Sequence, residues 1–194
     1  RRLNNPDGGT VQKGVRLSLF GLTIVLCLRT SAQAHALDAF EQNRLLGRGV
    51  NIIGYDPIWR SRDQARFQEK HFRLLKEAGF QSVRINLHPF RHMDQSKGWT
   101  LRPAWWETLD WAVDKATAQG LQVILDFHEF NAMGQDPAAR KAPFMAFWEQ
   151  VSEHCRNAPN SVLFEILNEP NKELNPALWN QYLREALAVI RKTN

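Results

Sequence analysis

From residue 49 onward the chain alternates short apolar runs with amphipathic stretches, and this alternation leaves few folds open. Four runs read as strands: GVNII (49–53), SVRINLH (82–88), LQVILDFH (121–128) and VLFEILNE (162–169). Their length and their β-branched and aromatic content fit strands better than helices. Between and after them, apolar residues recur at helical spacing. Over 64–78, Phe67, His71, Leu74, Leu75 and Ala78 share a face, and Gly79 can close the helix. From Pro103, the residues Trp105, Leu109, Ala112, Val113 and Ala116 recur before Gly120. Pro143 is expected to open a helix carrying Phe147, Trp148, Val151 and Cys155. Asn175-Pro176 starts another, with Leu178, Trp179, Tyr182, Leu183, Ala186, Val189 and Ile190. Strand, helix, glycine, strand is the order of a parallel α/β sheet built from right-handed crossovers.

The strands themselves are unusual for such a sheet. Side chains alternate sides along a strand. Val83, Ile85 and Leu87 share one face, as do Leu121, Val123, Leu125 and Phe127. The opposite face collects Asn51, Arg84, Asn86, His88, Asp126, His128, Glu165 and Glu169. A parallel sheet covered by helices should be apolar on both faces. A barrel whose interior turns polar towards the carboxyl ends of its strands accounts for the pattern, and that end is where such barrels do chemistry. Glu169 then stands at a strand end. Glu165 lies one alternation deeper and needs a partner, with Arg84 and the histidines as candidates, so it reads as structural.

The 194 residues suffice for one domain but fall short of the ~250 of a closed (β/α)8 barrel. Residues 1–36 have the layout of a secretory signal. Lys13 and Arg16 precede the apolar run Leu17–Leu28, and Ala32-Gln33-Ala34 or Ala34-His35-Ala36 offers a cleavage site. The run is too short to favour a membrane span of about 20 residues. A secreted or periplasmic product is expected, spanning 37–194. The leader also holds most of the positive charge. It has five of the 25 Lys and Arg and one of the 20 acids, leaving 20 against 19 in the remainder. With no basic stripe, nucleic acid is not an expected partner. Of the two cysteines only Cys155 lies beyond the leader, which excludes an internal disulfide there and a cysteine metal site.

Four motifs in order now become informative. RGVN (48–51) opens the first strand, VRI (83–85) lies in the second, ILDFH (124–128) ends the third and FEILNEPN (164–171) ends the fourth. Together they resemble glycoside hydrolase family 5, over roughly residues 46–192. The resemblance implies a (β/α)8 barrel, here its first four βα units, and a retaining β-glycanase of the cellulase type. It implies Glu169 as general acid and then general base. It implies that Asn168 bonds the 2-hydroxyl of the sugar at the cleavage point, that Arg84 holds and ionises the nucleophile, and that His128 lines the same subsite. Asn51 and Tyr55 join these as expected substrate contacts. The chemistry requires one neutral carboxyl to protonate the leaving oxygen and a second, ionised, about 5–5.5 Å away on the other side of the sugar. In the family that second carboxylate closes strand seven, so the 194-residue chain alone is expected to be inactive. No cofactor or metal is expected. The expected partner is a β-glucan, with β-mannan or another β-glycan as an alternative, and the protein is expected to be a monomer. A non-catalytic sugar-binding or half-barrel scaffold is the reading from another class.

Other signals compete. His88 and His92, spaced i, i+4, with His128 would suit a metal-dependent hydrolase, although Pro89 argues for a loop. Tyr55, Trp59 and Trp99 fall in loops after strands, where stacking on sugars and packing on the barrel are both open. Glu129 is expected to face away from the site.

Overall fold

The structure is a computed structural model that describes residues 38–194; the leader with its cleavage site lies outside the described residues. A first helix, α1 (Ala39–Leu46), is capped by Asp38, whose carboxylate accepts from the Phe40 and Glu41 N–H groups. Four βα units follow. They are β1 (Gly49–Ile52) with α2 (Glu69–Glu77), β2 (Ser82–Leu87) with α3 (Pro103–Ala118), β5 (Gln122–Phe127) with α5 (Pro137–His154), and β6 (Val162–Glu165) with α6 (Pro176–Ile190). A hairpin of β3 (Met93–Asp94) and β4 (Thr100–Leu101) interrupts the second unit, and the short α4 (Phe130–Gln135) precedes α5.

The main sheet has the order β1-β2-β5-β6 and every pairing is parallel. This is the arrangement of the first four units of a (β/α)8 barrel. The expected face alternation holds. Val83, Ile85, Leu87, Leu121, Val123, Leu125 and Phe127 are completely buried. Phe127 meets Phe144 and Phe147 of α5 edge-on, with ring centroids 5.1 and 4.9 Å apart, and Trp105 of α3 closes on Phe147. Burying a side chain of this size is worth roughly 1.5–3 kcal/mol, so this layer anchors the sheet on its helices. The opposite face is left to the polar residues. Among the described residues, no helix is long and apolar enough to cross a membrane.

Several expected boundaries shift, each for a local reason. β1 stops at Ile52, because Ile53 takes the left-handed φ of 51°. α2 starts at Glu69 rather than 64. The Asp56 carboxylate captures the N–H groups of Arg66 and Phe67, which pulls that stretch out of a helix, and only Arg62–Gln64 makes a 3-10 turn. Pro143 does not open a helix. Pro137 does, behind Asp136, which accepts from Ala139 N–H, and Pro143 sits buried within α5. An internal proline removes a helical hydrogen bond; the burial of Phe144, Phe147, Trp148 and Val151 holds the helix through it. β6 ends at Glu165, not at 169. Beyond it the Trp148 indole takes the Ile166 carbonyl and Asn168 N–H donates to Phe127 O, so residues 166–169 follow β5 without continuing the ladder.

Candidate active site

Arg84, midway along β2, is the hub of the polar face. Cross-strand register sets Asn51 and Ile124 beside it, and Asn86, Asp126 and Glu165 one row further on. Its guanidinium forms a fork with Glu165, Nε to Oε2 at 2.6 Å and Nη2 to Oε1 at 2.5 Å. Nη2 also reaches Asn168 Oδ1 at 3.0 Å and Asp126 Oδ2 at 3.0 Å, and Nη1 reaches Asn51 Oδ1 at 3.3 Å. A planar donor fork suits this many acceptors. The bonds to Glu165, then the charges of Asp126, Glu165 and Glu169, raise the Arg84 pKa against the opposing effect of burial. Glu169 is therefore close enough for its charge to act on Arg84.

Asp126 ties the histidine to this hub. It is completely buried, and its Oδ2 also accepts from Asn86 Nδ2 at 2.8 Å and contacts His128 Nδ1 at 2.5 Å. Burial pushes its pKa up, offset in part by Asn86, His128 and Arg84. With Nδ1 committed to Asp126, the His128 ring has a fixed orientation. The His88 ring stands edge-on to it, centroids 5.2 Å apart, and Tyr55 lies 4.6 Å beyond His88. His88 is held at a pKa of about 4, first by burial, then by His128, Arg91 and His92. It is neutral near pH 7.

The segment after β6 brings the last two residues to this cluster. Leu167 is buried, Asn168 is bonded to Arg84, and Glu169 is exposed, with no hydrogen bond or ion pair to its carboxyl among the described residues. Glu169 adopts a φ of 40°. Left-handed backbone costs a non-glycine residue roughly 1–2 kcal/mol, and such strain gathers at functional sites. The turn is braced by Asn171, whose Nδ2 donates to Glu169 O at 2.7 Å. Gly134 of α4 packs against Asn171 so closely that an added Cβ would lie 2.4 Å from Asn171 Oδ1.

An ionised arginine, an oriented histidine, an asparagine and a free carboxyl thus meet at one rim of a parallel sheet. Residues 44–194 match the family model described as Cellulase (glycosyl hydrolase family 5). The chain belongs to glycosyl hydrolase family 5. Among its relatives, Endoglucanase H of Acetivibrio thermocellus is 28% identical over 169 residues, covering 84% of this chain and 18% of that protein. The endoglucanase Cel5A of Thermotoga maritima superposes with a TM-score of 0.74 at 33% identity, over 81% of this chain and 52% of that one. The same protein has been solved with cellobiose and with mannotriose. The chain spans about half the length of these solved relatives and a smaller share of the curated ones.

Within this family frame, the structure gathers Asn51, Arg84, His128 and Asn168 into one network, with Glu169 beside it and Tyr55 at its edge. Tyr55 is 72% exposed. Glu165 is only half-buried rather than fully enclosed, and the partner expected for it is Arg84. Trp59 does not offer its ring to a sugar: it is buried, stacked 5.6 Å from Trp105, with its indole N–H on Ile53 O. Trp99 has a φ of 65° and is partly buried on the core. Glu129 does not turn away. It accepts from Phe90 N–H at 3.0 Å and, with His88, Arg91 and Arg140, lines a cavity of about 240 Å³ on the same rim. His92 parts from His88 and His128 and packs near Trp59, 6.5 Å away. Among the described residues, no group of three or more His, Cys, Asp or Glu could hold a metal ion. The structure adds Asn86 and Asp126 to the site. Their signal was present in the sequence, since both lie on the polar face, but only the register shows that they touch His128.

Proposed function

We propose that the chain carries the acid/base half of a secreted, retaining β-glycanase that cleaves β-1,4-glucan. The observation behind this is the exposed, unpaired carboxyl of Glu169, following an Asn168 that is locked to Arg84. In this reading Glu169 gives its proton to the glycosidic oxygen as the bond to C1 breaks, and a second carboxylate attacks C1. Glu169 then takes a proton from water as the water displaces the enzyme from C1. Asn168 is placed to bond the sugar 2-hydroxyl, and His128 to line the same subsite.

The second carboxylate comes from outside residues 38–194. Asp126 is out of reach of any sugar, and both oxygens of Glu165 lie on the Arg84 guanidinium. The 194-residue chain alone should therefore give no turnover. In the complete enzyme, Glu169→Gln should lower hydrolysis of soluble β-1,4-glucan by roughly 10²–10⁴-fold. Near-normal turnover by that variant would remove Glu169 from the role. β-Mannan is a second reading, favoured by the mannotriose complex of Cel5A, and a polysaccharide panel separates the two. The leader marks the product for export; amino-terminal sequencing of secreted protein tests this.

A further inference from the structure

Beside this site, the loops leaving β1 and β2 enclose a basic hollow. Two adjoining cavities, of about 230 and 380 Å³, share Trp59, Arg60, Arg91 and His92 in their walls. Tyr55 and Asp56 complete the smaller, and Arg102 and Trp105 border the larger. Three arginines from three separate stretches of chain thus border one space. Among the described residues, none of the three forms a salt bridge or a side-chain hydrogen bond, whereas Arg84, Arg66 and Arg156 do.

The acids around the hollow are engaged elsewhere. The Asp56 carboxylate accepts from the N–H groups of Ile58, Arg66 and Phe67 and pairs with Arg66 at 3.8 Å. Glu129 feels the charge of Arg91 but is bonded to Phe90 N–H. Asp94 feels Arg102 but is bonded to Ser96 and paired with Lys97. His92 is held at a pKa of about 4 by burial and then by Arg91 and Arg102, so near pH 7 it adds a neutral ring and not a fourth cation. Uncompensated cations around a concave, partly apolar wall raise the local potential for an anion, and arginine matches a carboxylate two bonds at a time.

Tyr55 connects the hollow to the site. Its ring lies 4.6 Å from His88, whose ring lies 5.2 Å from His128. The three rings step outward from the Arg84 network to the mouth of the smaller cavity. A glycan held at Glu169 and running over these rings delivers its next sugar units to the arginines. We infer that the hollow binds a carboxylate carried on a sugar of the substrate, beyond the unit held at Glu169. The substrate class is then an acidic β-glycan. This rests on the sugar-binding reading above.

The experiment uses the complete enzyme carrying Glu169→Gln, so that nothing is hydrolysed, and two oligosaccharides of β-1,4-linked glucose, one neutral and one with its C6 alcohols oxidised to carboxylates. Binding is followed by calorimetry, with free glucuronate and inorganic phosphate as separate probes. The oxidised oligosaccharide should bind about tenfold more tightly at low salt. That advantage should fall below about twofold near 0.5 M salt and in Arg60→Gln/Arg91→Gln. The arginines are exposed, so circular dichroism of the variant should match the parent. If the neutral oligosaccharide binds and the oxidised one binds no better, the inference fails and the glycanase reading stands. If neither binds, both fail. If phosphate or free glucuronate binds as tightly as the oxidised oligosaccharide, with the same loss in the variant, the hollow is a free-anion site and the glycan assignment is overturned.

Discussion

Replacing Arg84 with leucine isolates the energetics of the polar face. The change removes the cation from two carboxylates in different surroundings. Glu165 is 34% exposed, so water recovers most of what it loses, and about 1 kcal/mol covers that pair. Asp126 is completely buried, and among the described residues Arg84, whose Nη2 lies 3.0 Å away, is the one arginine or lysine that pairs with it. Without it, Asn86 and His128 remain as donors and burial pushes the Asp126 pKa further up. Leaving one member of a buried ion pair without its partner costs about 3–5 kcal/mol. Arg84 is itself 21% exposed, which puts the total at the lower end of that range, about 3–4 kcal/mol. It should lower the Tm by about 10 °C in a domain of this size.

The penalty belongs to the charged form, so it depends on pH. A carboxyl whose folded pKa is raised contributes stability below that pKa and loses it as the pH rises through it. The gap between Arg84→Leu and the parent should therefore be wide at pH 8 and narrower at pH 5. Adding Asp126→Asn should restore roughly 2 kcal/mol, and a double-mutant cycle measures that coupling. Urea unfolding followed by far-UV circular dichroism at both pH values is the assay. A gap below about 1 kcal/mol, or one that is equal at pH 5 and pH 8, would refute the idea that Asp126 is held ionised by Arg84.

Three further outcomes are expected. Glu169→Gly should be more stable than Glu169→Ala by about 1 kcal/mol, because glycine tolerates the φ of 40° at that position; equal urea midpoints would show that the backbone relaxes instead. Gly134→Ala should cost roughly 1–3 kcal/mol by driving a methyl into Asn171, and should shift amide resonances around Glu169; an unshifted spectrum would sever that link. His88 and His92, both held near a pKa of 4, leave the unfolded chain binding more protons than the folded one between about pH 4 and 6.5. Stability is fully present above that window and falls as the pH drops through it, by on the order of 1 kcal/mol for each ring after allowance for partial exposure. A His88→Asn/His92→Asn variant should flatten this slope, and a slope left unchanged would assign it to other groups.

What the sequence determined by itself was the repeating unit and the division of its strands into two faces. Period-two alternation in SVRINLH and LQVILDFH is a covalent fact that survives any packing, so the buried face and the polar face could be separated before any contact was known. The same holds for Pro103 and Asn175-Pro176 as helix starts, where a fixed φ and a capping side chain act locally. Tertiary structure decided the rest, because the deciding partners lie far away in the chain. Asp56 reaches ten residues forward to delay α2, the packing of Phe144 and Trp148 carries α5 through Pro143, and Phe127 holds Asn168 after the ladder of β6 has ended. Glu165 could be seen to need a cation. Only the register of β2, β5 and β6 made that cation Arg84, joined it to Asp126 and His128, and set the strained Glu169 beside them.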